Sequence, residues 1–161
     1  MVAGLKAKDV ALMGILAATY TAGVYVLPAI SFLTLNIRVV NILRGVVPFF
    51  GWPAIMGLSL GVIISNLISP LGPIDLLSAA VVFASLSLAY IISKRFLIVC
   101  FVPVWLSLSA WVSFMISFVG GVDYMTMFLI ITPQIFISDY ILPTALAYAL
   151  KKAYKRIPAH K

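Results

Sequence analysis

The chain has 161 residues, 64% of them hydrophobic and only 9% charged, with a mean hydropathy of +1.20 and a net charge of +7. Long uncharged runs at this hydropathy exclude a water-soluble domain and place the chain in lipid. A single cysteine (Cys100), a single histidine (His160) and no glutamate exclude an internal disulfide and a multi-cysteine metal site. They leave few groups for acid–base or nucleophilic chemistry, so neither an enzyme nor a bound cofactor or metal is expected. The basic residues gather at segment ends, which fits anchoring at a membrane surface and not binding to nucleic acid.

Six apolar segments are predicted, all in one membrane domain over residues 1–161. The first runs from about Leu5 to Leu27 and stops at Pro28; it is too long for a removable signal peptide. Along it, Ala7, Ala11, Gly14, Ala18 and Ala22 lie mostly four apart, a spacing that lets two helix backbones approach closely. Such a face serves either packing inside the bundle or docking of a partner membrane protein. The second segment, Asn36–Phe50, is short for a span and is interrupted by Arg38, Asn41 and Arg44. Members three apart meet on one side of a helix, with drift around it. The two arginines can snorkel to the two surfaces, but Asn41 must bond another helix or face a polar cavity.

The third segment, Pro53–Ser69, carries Gly57 and Gly61 as a GxxxG pair, then Asn66. After the turn Pro70-Leu71-Gly72-Pro73 the fourth runs from Ile74 to Ser93, with Asp75 at its start. The fifth is Phe96–Phe118. Ser78, Ser85, Ser87, Ser107, Ser109, Ser113 and Ser117 on these two segments read as hydrogen-bonding glue between helices. Trp105 and Trp111 read as core or as stacking surfaces for a flat ligand. The sixth, between Tyr124 and Leu150, holds Gln134 and Asp139 between Pro133 and Pro143, so an irregular helix is predicted there. An intramembrane carboxylate is either a functional group or half of an ion pair with Arg38 or Arg44.

Six spans put Lys6, Lys8, Lys94, Arg95, Lys151, Lys152, Lys155 and Arg156 on one side, which the positive-inside rule makes cytoplasmic, with both termini. Five spans would strand one basic cluster outside. The outer connections are then Ala29–Leu35, Pro70–Pro73 and Gly120–Asp123, with Asp75 and Asp123 at that side. No G-x-x-x-x-G-K-[ST], G-x-S-x-G or H-E-x-x-H string is present, so the chain has no P-loop for ATP.

The stretch from Asn36 to about Tyr90 resembles the QueT-type family, linked to queuosine precursors, among the substrate-binding S components of energy-coupling-factor transporters. The matching residues are Ile37-Arg38-Val39, Pro48-Phe49-Phe50, Pro53-Ala54-Ile55, Gly57, Gly61, Asn66, Pro70-Leu71-Gly72 and Asp75. The resemblance implies a six-helix multi-pass protein of the cell membrane that captures a micronutrient from outside. It also implies docking through helix one onto a transmembrane coupling subunit driven by two ATPase subunits. The pocket would open outward beneath connections near Leu33, Leu71 and Gly121. For a flat 7-deazaguanine, Trp105 or Trp111 would stack and Asp75 or Asp139 would take the N–H edge. Arg38, Asn41, Asn66 and Gln134 would supply the remaining contacts. The family pattern commonly has an acidic residue where this chain has Asn41, a departure that bears on which substrate fits. The competing readings are an S component for another vitamin or nucleobase, and a membrane scaffold in which the polar residues only hold the bundle.

Overall fold

The computed structural model describes residues 6–26 and 38–156, with side chains to residue 153. The connection Ala29–Leu35, the first two residues of the predicted second segment (Asn36 and Ile37) and His160 lie outside the described residues, and Lys155 and Arg156 are described by backbone alone. Helices hold 86% of the described residues and none is in a strand.

Six helices follow one another. They are α1 (Ala7–Val26), α2 (Val39–Phe50), α3 (Trp52–Asn66), α4 (Gly72–Ser93), α5 (Val102–Gly120) and α6, built from consecutive pieces Tyr124–Phe136, Ile137–Ile141 and Leu142–Arg156. Four of them, α1, α4, α5 and α6, are long and apolar enough to cross a membrane; α2 and α3 are shorter apolar helices.

Prolines open three of the helices, α3, α4 and α5. The fifth helix begins at Val102 and not at Phe96, because Pro103 suits a first turn, where its missing N–H leaves nothing unpaired. Residues 97–101 instead form turns, with Cys100 and Phe101 buried. Gly51, at φ +60°, makes the sharp turn from α2 to α3, and Pro53 starts the latter. Asp123 caps α6, its carboxylate accepting from the Thr126 backbone N–H at 2.9 Å and from the Thr126 hydroxyl at 3.0 Å. Those bonds hold its carboxyl below the usual range.

Two irregular stretches position the polar residues. Val39–Val46 is a 3-10 helix, where a regular α-helix is predicted. Pro48 has no N–H to give the Arg44 carbonyl an i→i−4 bond, and the Val47 N–H takes that carbonyl in the tighter i→i−3 pattern. Ile137–Ile141 is a turn of π-helix. Here Pro143 would clash with the Asp139 carbonyl in a regular helix, and the Leu142 N–H reaches back five residues to Ile137. The irregularity expected between the two prolines takes this form.

The glycine pair on α3 seats α1. A Cβ on Gly57 would lie 2.7 Å from the Met13 carbonyl oxygen, and one on Gly61 would lie 2.9 Å from Tyr20 Cβ. Thr21 donates to the Gly61 carbonyl and Tyr25 to the Ile64 carbonyl, so the two helices run in the same direction. Leu16, Ala17, Tyr20 and Val24 form the buried face of α1. The small residues do not share it: Ala7, Ala11, Gly14, Ala18 and Ala22 are all exposed, and nothing lies within 4 Å of a Cβ placed on Gly14. The core beneath is apolar, with Val47, Ile55, Leu58, Val62, Val82, Leu86, Phe101 and Val104 in one cluster.

Candidate functional site

Tight winding in α2 decides where its polar side chains point. In a 3-10 helix, residues three apart eclipse one another, so the drift of an α-helix is removed. Arg38, Asn41 and Arg44 therefore share one side, and all three line a cavity of about 120 Å³. A single water needs roughly 10–15 Å³ of such space, so the chamber holds more than a stray solvent molecule. The π turn of α6 brings Asp139 to the same chamber, and α4 contributes Asp75 and Ser78. Pro70 and Leu71 of the α3–α4 connection also line it. The rest of the wall is apolar, chiefly Val82, Leu108, Val112, Met115, Ile131 and Ile135.

The charges form two groups. In the first, Asp139 pairs with Arg44 and accepts from the Ser138 hydroxyl. The Asn41 amide nitrogen donates to both Asp139 oxygens at 3.0 and 3.1 Å, and the Asn41 oxygen accepts from the Tyr20 hydroxyl at 2.8 Å. Arg44 and Asp139 are each 2% exposed, so this is a fully desolvated pair. The Arg44 Nε–H is also buried and has no hydrogen-bond partner.

In the second group, Arg38 lies 3.9 Å from Asp75 and donates to the Asn66 oxygen at 3.2 Å. The Asn66 amide donates to the Asp75 backbone carbonyl at 2.9 Å. The Ser78 hydroxyl donates to Asp75 at 2.6 Å and accepts from the Trp111 indole N–H at 2.8 Å. Asp75 is thus buried in the chamber wall, near the start of α4. Arg38 turns inward to meet it instead of reaching a membrane surface.

Of the residues singled out in the sequence, Arg38, Asn41, Asp75 and Asp139 line the chamber, and Asn66 and Trp111 hold lining residues in place. Trp105 and Gln134 are not among the lining residues. The Trp105 N–H donates to the Thr132 carbonyl at 3.1 Å and its ring packs edge-on against Phe136, which fixes it between α5 and α6. The Gln134 amide donates to the Ile130 carbonyl of its own helix at 3.1 Å. Tyr20 and Ser138 take roles the sequence reading did not assign, and Ser78, expected as glue between helices, bonds Trp111 of α5 and also holds Asp75. Tyr20 had a visible signal, since a phenol amid the apolar residues of α1 needs a hydrogen-bond partner. Ser78 had a weaker one, three residues after Asp75. Among the described residues no group of three or more His, Cys, Asp or Glu is placed to hold a metal ion.

Compared with known proteins, the chain matches the family model described as QueT transporter over residues 10–156. No curated protein and no solved structure matches it.

A desolvated pair predicts its own test. Removing one partner leaves the other charge buried and uncompensated, which costs about 3–5 kcal/mol. Arg44→Gln and Asp139→Asn should each lower the stability of the ligand-free protein by about that amount in detergent melting. Arg44→Met combined with Asp139→Leu should recover most of the loss. Single variants that melt like the native protein would rule out the pair as an anchor of the bundle.

Proposed function

The chain belongs to the QueT transporter family, the multi-pass membrane S components of energy-coupling-factor transporters, and we propose that the substrate it captures is a 7-deazaguanine precursor of queuosine. The observation that carries this substrate reading is the chamber's mixture of groups. It offers a carboxylate with spare acceptor capacity, a guanidinium N–H without a partner, and an apolar wall.

Asp139 is already engaged by Arg44, Asn41 and Ser138. Asp75 is freer, since Ser78 occupies one oxygen and Arg38 stands 3.9 Å from the other. In this reading Asp75 accepts the N–H edge of the ring and the Arg44 Nε–H donates to its carbonyl oxygen. Leu108, Val112 and Ile135 cover the ring faces, and Arg38 with Leu71 closes over it. Specificity follows because a ligand lacking these groups leaves buried polar atoms unpaired. The same chamber suits another nucleobase of like edge pattern, and the internal Arg44–Asp139 pair favours a purely structural role. Affinity measurements separate these readings.

The protein works without catalysis of its own, and ATP hydrolysis belongs to two ATPase subunits acting through a transmembrane coupling subunit. The exposed small residues of α1 form the docking face for that subunit, since close backbone approach needs a surface without bulk. All six helices cross the membrane as one domain over residues 1–161. Lys6, Lys8, Lys94, Arg95, Lys151 and Lys152 then share the cytoplasmic side with both ends of the chain, and the chamber opens outward.

Three experiments test these statements. By isothermal titration with 7-deazaguanine derivatives, Asp75→Asn and Arg38→Gln should each weaken binding about tenfold to a hundredfold. A hydrogen bond to a charged group is worth about 1.5–3 kcal/mol, and about 1.4 kcal/mol corresponds to tenfold. Unchanged affinity in both would remove these residues from the site. Ala11→Leu or Ala18→Trp should abolish co-purification with the coupling subunit while ligand affinity stays within about twofold, because neither residue touches the chamber; retained co-purification in both would move docking to another face. Finally, Gly121→Cys should react with an impermeant maleimide in intact cells. The native Cys100, whose thiol burial pushes up to about 12, should stay silent. Reaction only after permeabilisation would invert the orientation.

A further inference from the structure

The four charged residues of the chamber cancel. Arg38 and Arg44 face Asp75 and Asp139, and each carboxylate has its own guanidinium. Asn41 stands at the chamber wall beside the deeper pair, and both ends of its amide are engaged. Its nitrogen serves Asp139 and its oxygen serves Tyr20. Among the described residues, the rest of the lining brings no charge.

We infer that the chamber selects an uncharged ligand against one bearing an ammonium arm, and that Asn41 sets this rule. The inference deepens the substrate reading above and rests on it for the ring. A cation entering the chamber gives up its water and meets no uncompensated carboxylate. It must share a carboxylate with the guanidinium already there, and at the deeper pair the displaced Arg44 would be buried with its charge uncompensated, the costliest outcome in an apolar wall. An uncharged ring disturbs neither pair. Its acceptor also satisfies the Arg44 Nε–H, the buried donor that lacks a hydrogen-bond partner. Replacing Asn41 with aspartate keeps the shape and adds a third carboxylate beside Asp139. Two carboxylates in contact repel, and a ligand cation is then what restores the balance.

Two ring compounds of opposite character test this: 7-deazaguanine carrying a nitrile at C7, and the same ring carrying an aminomethyl group, which is an ammonium at neutral pH. Titration into the full-length protein in nanodiscs should give a Kd at least tenfold lower for the nitrile. In Asn41→Asp the ratio of the two Kd values should move at least tenfold toward the ammonium compound, and in Asn41→Ser, which adds no charge, it should stay in favour of the nitrile. Equal or tighter binding of the ammonium compound to the native protein overturns the rule, as does an unshifted ratio in Asn41→Asp. If Asn41→Asp fails to fold, the native ratio still decides. If neither compound binds, the ring assignment fails instead, and the charge rule is scored on the molecule that native mass spectrometry finds retained by protein from ligand-rich membranes. An uncharged molecule there supports the rule; a cation, or an empty chamber, overturns it.

Discussion

A carboxylate buried inside an apolar bundle constrains everything around it. Asp139 is nearly inaccessible, and burying such a charge is tolerable only with a cation and hydrogen bonds at good geometry. Arg44, Asn41 and Ser138 supply them. Meeting that demand fixes the rotation of α2, which must offer residues 41 and 44 together, and the local winding of α6, which must turn residue 139 inward. Both conditions are met by departures from the α-helix, and in each case a proline a few residues further along forces the departure. The polar chamber follows from two missing backbone N–H groups as much as from its charged side chains.

Much of this was legible in the sequence, for a clear physical reason. Charged and amide side chains in a lipid-exposed or apolar setting are expensive, so Arg38, Asn41, Asn66 and Asp139 stood out from their surroundings. Their partners were harder to read. The spacing of residues 38, 41 and 44 suggests a drifting stripe because an α-helix was assumed; only the tighter winding aligns them. Asp75 was expected at the outer end of its segment, next to a Pro-Gly turn, and as a candidate for the ligand's N–H edge, but its partners were not legible. In the fold, the 3-10 turn Gly72–Leu77 carries it inward to Arg38 and Ser78. Trp105 and Gln134 were attractive for their chemistry, but sequence periodicity does not say which of several faces of a fully apolar helix meets the chamber. Trp105 satisfies its indole on the neighbouring helix instead.

The two motifs of small residues illustrate the same limit. Glycine or alanine four apart signals close approach without naming the neighbour. On α3 the neighbour is α1, and the glycines leave no room for even a methyl group. On α1 the equivalent spacing turns away from the bundle. One helix is therefore gripped on one side by a bulk-free surface and presents another bulk-free surface outward. The sequence records the two identically, and only the packing tells them apart.

The π turn of α6 has one more implication, for the phase of that helix. Each residue of a regular α-helix advances the azimuth by about 100°, so one extra residue in a wide turn resets which side faces the bundle beyond it. Before the turn, Ile131 and Ile135 face the chamber and Thr132 receives Trp105 from α5. After it, Pro143, Leu146 and Ala147 close on Gly45 of α2, where an added Cβ would lie 2.5 Å from the Pro143 carbonyl oxygen. A single helix thereby packs against α5 before the turn and against α2 after it. Length along this stretch is consequently as constrained as composition: deleting Ile137 alone would spare Asp139 and Ser138 and yet swing the second half of α6 off α2.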